Sequence, residues 1–287
     1  MRIEITPGIR LFVDIDGFGL VPDGATMREK PTLLLLHGGP GFDHTGFKPA
    51  FSQLADIAQI VTYDHRGHGR SDRRPTDEWT LDTWADDVVR LCDALGIVKP
   101  VVLGQSFGGF VAQRYLARHP AHPAKVILSS TSAAFNLARK LPVFERLGGP
   151  AGRKLAGDFW LNPTEANTEQ YLRELHGLYN TRPPADPRGR ARAVYQLDIL
   201  RHFIVNEMHG MDLRPGLASV CCPVLVMAGA HDPVCPPADS EDIATAIPAG
   251  LAELQVYAGS GHGAWRDEPE AAFAALRRFI LGADDAG

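Results

Sequence analysis

The sequence predicts an α/β fold, a mostly parallel sheet with helices on both faces. Short, mostly apolar runs recur at 32–36, 100–103, 125–130 and 223–229, with further strands expected at 59–64 and 254–257. Such runs are too short for helices and too uniform for half-exposed strands, so they read as strands buried on both faces. Helical periodicity fills most of the intervals, with short loops between, and this alternation argues for parallel βαβ units. The rhythm breaks after Thr131, and from 133 to 218 the pattern is helical with scattered aromatics. We therefore expect a core of 1–132 plus 219–287 and a helical insertion over 133–218.

In chain order, Ile3, Ile5, Leu11, Val13 and Ile15 alternate before a turn at Asp16-Gly17, which predicts an opening antiparallel hairpin. Gly24 to Pro31 reads as a polar loop. Thr32 to Leu36 is a central strand that runs into His37-Gly38-Gly39-Pro40-Gly41, where glycines leave backbone N–H groups free and proline fixes a turn. A short helix is expected at Phe51–Ala58. The strand Gln59 to Asp64 leads into the polar turn His65-Arg66-Gly67-His68-Gly69-Arg70-Ser71-Asp72. Thr80 to Leu95 has the clearest amphipathic pattern, with Thr80 as N-cap and Gly96 as terminator. Later helices are expected near 238–246 and over Pro269–Ile280.

With 287 residues and 45% hydrophobic content the chain can bury a large core. A net charge of −5 offers no basic face for nucleic acid or an anionic membrane. No run approaches membrane-spanning length, and the N-terminus does not read as a signal peptide. Four cysteines without disulfide or metal spacing read as reduced thiols, which suits a cytoplasmic protein.

The chemistry concentrates at Gly104-Gln105-Ser106-Phe107-Gly108, a G-x-S-x-G between a buried strand and an apolar helix. Such an elbow exposes the serine hydroxyl and leaves the next N–H at a helix N-terminus, where it can hold an oxyanion. A serine needs a base, and the base needs a carboxylate to orient it. In an open α/β sheet these groups gather at the carboxyl ends of strands. The strand ending at Ser130 is followed by no acid, whereas the one ending near Gly229 is followed by Asp232, and the last strand by His262 in a glycine-rich loop. Ser106, Asp232 and His262 are therefore the candidate nucleophile, orienting acid and base. His231, Arg66, His68 and Asp72 read as scaffolding, and Cys235 as a loop cysteine.

With the order Ser, Asp, His and the segments His37-Gly38-Gly39-Pro40-Gly41 and Tyr63 to Ser71, the chain resembles the α/β-hydrolase fold family along its whole length. The resemblance implies an eight-stranded sheet, a cap formed by 133–218, an oxyanion hole made by the N–H groups of Gly39 and Phe107, and a bracing role for His37. The H-G-G-P-G segment resembles the proline iminopeptidase branch, which releases N-terminal residues from small peptides. Gln105, Phe107 and His65 differ from that branch's usual residues, which keeps an esterase or lactonase as the alternative and a non-catalytic receptor as the third reading. An aminopeptidase would need a carboxylate for the substrate ammonium, and by position in the cap Glu207 is its candidate. No metal or organic cofactor is expected, and the expected partner is a small molecule or short peptide.

Overall fold

The computed structural model describes residues 1–282. The chain opens with β1 (Arg2–Thr6) and β2 (Ile9–Asp16), an antiparallel pair. They are joined at Pro7-Gly8, and Gly17 then turns the chain away from the sheet. The expected hairpin is present, but its turn is Pro7-Gly8 rather than Asp16-Gly17. A small second hairpin follows, β3 (Leu20–Asp23) with β4 (Thr26–Glu29), where the sequence reading placed a loop. It lies off the main sheet and is largely exposed, so it carries no alternation of burial that a sequence pattern could register.

The central strands are β5 (Thr32–Leu36), β6 (Gln59–Tyr63), β7 (Val101–Gln105), β8 (Lys125–Ser129), β9 (Val224–Gly229) and β10 (Ala252–Tyr257). The sheet has eight strands in the order β1-β2-β6-β5-β7-β8-β9-β10, antiparallel only across β1-β2 and β2-β6. Successive side chains point to opposite faces, so each uniformly apolar strand feeds two cores. Leu34, Leu36 and Val102 pack on one face, and Leu33, Leu35, Val101 and Leu103 on the other.

The first face is covered by α1 (Leu81–Leu95) and α2 (Phe107–Arg118). Helix α1 begins and ends where its residues dictate. Thr80 Oγ1 accepts from the Thr83 N–H at 3.2 Å, and Gly96 closes the helix at φ 67°. Between β8 and β9 the chain runs through α3 (Leu137–Leu161, broken at Gly149), α4 (Glu165–Glu174), α5 (Leu197–Asn206) and α6 (Arg214–Leu217). The two ends of this excursion are tied where the Leu213 N–H donates to Ala133 O at 2.7 Å. The fold closes with α7 (Pro237–Ala246), the short α8 (Ala264–Asp267) and α9 (Pro269–Leu281), which covers the second face. Phe51–Ala58, expected as a short helix, is instead a 3-10 turn over Ala50–Leu54. Among the described residues, no helix is long and apolar enough to cross a membrane.

Candidate active site

Ser106 sits between β7 and α2 at φ 55°, ψ −114°, a conformation that costs a non-glycine residue of order 1–3 kcal/mol and persists only when its surroundings over-determine it. Here they do. The Ser106 N–H donates to Ser129 O at 2.9 Å, and its carbonyl accepts from Gly109 N–H and from Thr131 Oγ1–H. Gly108 lies so close to β5 that a Cβ would overlap the Leu36 carbonyl, and one at Gly104 would overlap the Gly108 carbonyl. The turn therefore demands small residues on both sides of the serine.

The loops after β9 and β10 bring Asp232 and His262 together. Asp232 is fully buried, with Oδ1 accepting from the Val234 and Cys235 N–H groups at 2.8 Å each. Its other oxygen lies 2.8 Å from His262 Nδ1. A carboxylate can only accept, so Nδ1 carries the hydrogen and Nε2 keeps its lone pair. The His262 loop is pinned at three points. Its own N–H donates to Tyr179 O, the Gly263 N–H to Ser130 Oγ, and the Gly261 N–H to the buried Asp267 carboxylate. Ser106 and His262 border the same cavity of about 800 Å³, although among the described residues no hydrogen bond joins Ser106 Oγ to the imidazole. Resting catalytic hydrogen bonds are often longer than those of the working complex.

Gly39 also borders this cavity, at φ 129°. Among the described residues, neither the Gly39 N–H nor the Phe107 N–H at the first turn of α2 has a partner within the chain. Behind Gly39, His37 is buried and its Nδ1–H donates to Gly38 O at 2.7 Å, while Nε2 accepts from the His65 N–H at 3.1 Å. Burial lowers the His37 pKa, so the ring is a neutral strut. His65 and His68 pack against it, and burial drives both down, His68 to about 3.

The turn after β6 is scaffolding. Arg66 forks onto the buried Asp87 of α1 at 2.7 and 2.6 Å, and Asp72 pairs with Arg2 and Arg10. His231 is exposed. The cysteines are free, and burial raises the Cys235 thiol well above its ordinary value. Asp43, His44 and Asp64 place ligand-type atoms within 4.8 Å of one another, but those atoms are already committed. Asp64 accepts from His44 Nδ1–H and the Arg70 N–H, and Asp43 accepts from Arg70 and the Val194 N–H. The cluster ties the loop after β5 to its neighbours.

Glu207 requires a correction. It does not border the cavity. One carboxylate oxygen accepts from the Leu81 N–H at 3.4 Å, so it sits at the N-terminus of α1, where a helix end favours negative charge. Burial raises its pKa against that hydrogen bond. The sequence reading also missed Tyr179, Asp267, Ser130 and Thr131, which hold the His262 and Ser106 loops. Tyr179 carries no sequence signal, since nothing in periodicity tells which cap carbonyl meets a core loop.

A doubly wound sheet with a serine at a strand–helix elbow and an Asp–His pair on the loops of the last two strands is the layout of a hydrolase. The chain belongs to the alpha/beta hydrolase fold family, whose sequence profile matches residues 31–269. It is 29% identical over 277 residues to a putative carbamate hydrolase RutD of a Caulobacter species, covering 93% of this chain and 97% of that one. It is also 29% identical over 253 residues to a proline iminopeptidase of Lactobacillus delbrueckii subsp. lactis, covering 82% and 84%. An esterase of Exiguobacterium antarcticum superposes with a TM-score of 0.71 at 21% identity, over 98% and 99% of the two chains.

Proposed function

We propose that this chain is a serine hydrolase that works by acyl transfer, with 133–218 as a cap over its cavity. The observation that carries the reading is the strained Ser106 elbow facing the cavity that His262, oriented by Asp232, also borders. Ser106 Oγ attacks a substrate carbonyl while His262 Nε2 takes its proton. The Gly39 and Phe107 N–H groups hold the oxyanion, and the protonated His262 delivers its proton to the leaving group. Water, deprotonated by His262, then attacks the acyl-serine; its oxygen stays on the acid and Ser106 regains a proton.

The geometry favours a small carboxylic ester or lactone as substrate. An aminopeptidase must hold a buried α-ammonium against a carboxylate, because an unpaired buried charge costs several kcal/mol. Among the described residues, the two acids bordering the cavity are already engaged, Asp43 with Arg70 and Asp186 with Arg192. Release of an N-terminal residue is the second reading, favoured by the His37-Gly38-Gly39-Pro40-Gly41 loop and by the Lactobacillus relative. Parallel assays of a short-chain p-nitrophenyl ester and proline p-nitroanilide, with Ser106→Ala as control, separate them. Ester turnover that Ser106→Ala abolishes, without anilide cleavage, is expected. Efficient anilide cleavage that disappears on N-acetylation would establish the exopeptidase instead.

A further inference from the structure

Arg266 stands on α8, four residues after His262, and borders the cavity. Its side chain is exposed to solvent at the rim of the cavity. Among the described residues its guanidinium makes no hydrogen bond and no ion pair; its contact is the face of Trp265, with Cζ 4.3 Å from the ring centroid. The neighbouring acid, Asp267, favours its charge through space but does not pair with it. Asp267 is buried and takes the N–H groups of Gly261, Thr181 and Arg182 together with Asn180 Nδ2–H. Trp265 is itself anchored, its Nε1–H donating to Gln105 Oε1 at 3.4 Å.

A second cation shares this end of the cavity. Among the described residues Arg190, itself exposed, has no acidic partner, its Nη2 donating to His176 O at 3.2 Å, and its charge and that of Arg266 repel each other. Burial, and then the Arg190 charge, bring the Arg266 pKa down to about 10, which leaves it a cation at neutral pH. Burial and then the Arg190 and Arg266 charges lower the His176 pKa to about 3, so this end of the cavity is electropositive.

Among the described residues neither guanidinium has an acidic partner, and two exposed cations at one end of the cavity make that end attractive to an anion. Stacking on Trp265 fixes the plane of Arg266 and leaves its N–H edge free, the arrangement that grips a planar carboxylate through two parallel hydrogen bonds. We propose that Arg266, assisted by Arg190, is an anion subsite, and that the substrate is an ester carrying a carboxylate in addition to the carbonyl that Ser106 attacks. This rests on the hydrolase reading above and sharpens its substrate class.

Two matched substrate pairs test it. The first is p-nitrophenyl hydrogen glutarate against p-nitrophenyl valerate, with the charge on the acyl side. The second is 4-carboxyphenyl butyrate against its methyl ester, with the charge on the leaving side. The wild type is expected to prefer the charged member of one pair by at least about tenfold in kcat/KM, the scale of a charged hydrogen bond. Arg266→Met should reduce that ratio by a similar factor, and Arg266→Lys should retain part of it. Because the readout is a ratio, a general loss of activity does not imitate the effect, and a melting curve for each variant separates misfolding.

Charged-to-neutral ratios near one in the wild type, or ratios that Arg266→Met leaves unchanged, would overturn the proposal. Inorganic phosphate that inhibits through Arg266 where glutarate does not would overturn the carboxylate assignment. Failure of the hydrolase reading looks different, since Ser106→Ala would then retain turnover. In that event calorimetric titration of glutarate into wild type and Arg266→Met still decides the subsite: binding that needs Arg266 supports it, and equal or absent binding overturns it.

Discussion

His262, on the loop after β10, and Arg266, on α8, are four residues apart, border one cavity, and are treated by the fold in opposite ways. Nearly every group around His262 is matched. Its Nδ1 faces Asp232, whose second oxygen takes two backbone N–H groups, and the neighbouring amides are spent on Tyr179, Ser130 and Asp267. Arg266, exposed to solvent, rests on the face of Trp265, and among the described residues its guanidinium makes no hydrogen bond. Orientation of an imidazole to within a few tenths of an ångström needs a complete set of partners inside the protein. A group that binds substrate must instead keep its donors free. The contrast separates residues the fold completes from residues left for a ligand to complete.

The largest test falls on the completed end. Ser106→Ala should lower kcat by about 10⁶, and Asp232→Asn by roughly 10⁴, because an amide at that position no longer holds the imidazole tautomer that frees Nε2. Single-turnover assays on the preferred ester, with melting curves as folding controls, measure both. A loss of less than tenfold in Asp232→Asn would mean that the tight set of partners around His262 is structural and not catalytic.

A second test uses acid. His37, His65 and His68 are buried together, and burial holds the pKa of each below the ordinary 6.5, for His68 at about 3. For a histidine depressed in the folded state, the unfolded chain takes up the proton first. Their neutral forms thus cost nothing above the unfolded value of 6.5, and stability falls as pH drops below it, continuing until the folded value is reached. Each buried histidine contributes a slope of up to about 1.4 kcal/mol per pH unit. Between about pH 6.5 and 5.5 ordinary carboxylates remain largely ionised, so the fall there reports mainly on the depressed histidines, to which His122 and His176 also belong. Urea midpoints measured across it should fall steadily, and His68→Phe should flatten the fall. A flat profile in the wild type would show that the oxyanion-loop scaffold does not rest on neutral histidines.

What the sequence made legible follows from burial. Strands buried on both faces cannot accept polar residues, so β5 to β9 stand out as apolar runs, and α1 announces itself through Thr80, Gly96 and its apolar face. Ser106 and Asp232 were readable because each follows such a strand, and His262 because it stands in the glycine-rich loop after the edge strand β10. The β3-β4 hairpin was not, since neither of its faces is buried. Arg266 was passed over because the segment between His262 and Pro269 has no periodicity. A tryptophan followed by an arginine just past a candidate base was the available clue.

Glu207 shows the same limit from the other side, and supplies the smallest test. It was singled out by its position in the cap, but position along a helical segment does not say which way a side chain faces once α5 has packed. In the fold it meets the Leu81 N–H and feels the charges of Arg114 and Asp82, all outside the cavity. Glu207→Gln keeps an acceptor for that N–H and removes only a half-exposed charge at a helix end. Stability should therefore move by no more than about 0.5 kcal/mol. Turnover of both the ester and the proline anilide should stay within about twofold of wild type, since a side chain outside the cavity makes no differential contact with the transition state. A selective rise in KM for the anilide would place a substrate ammonium against Glu207. That result would require the cap to close differently around a peptide, and it would return the exopeptidase reading to first place.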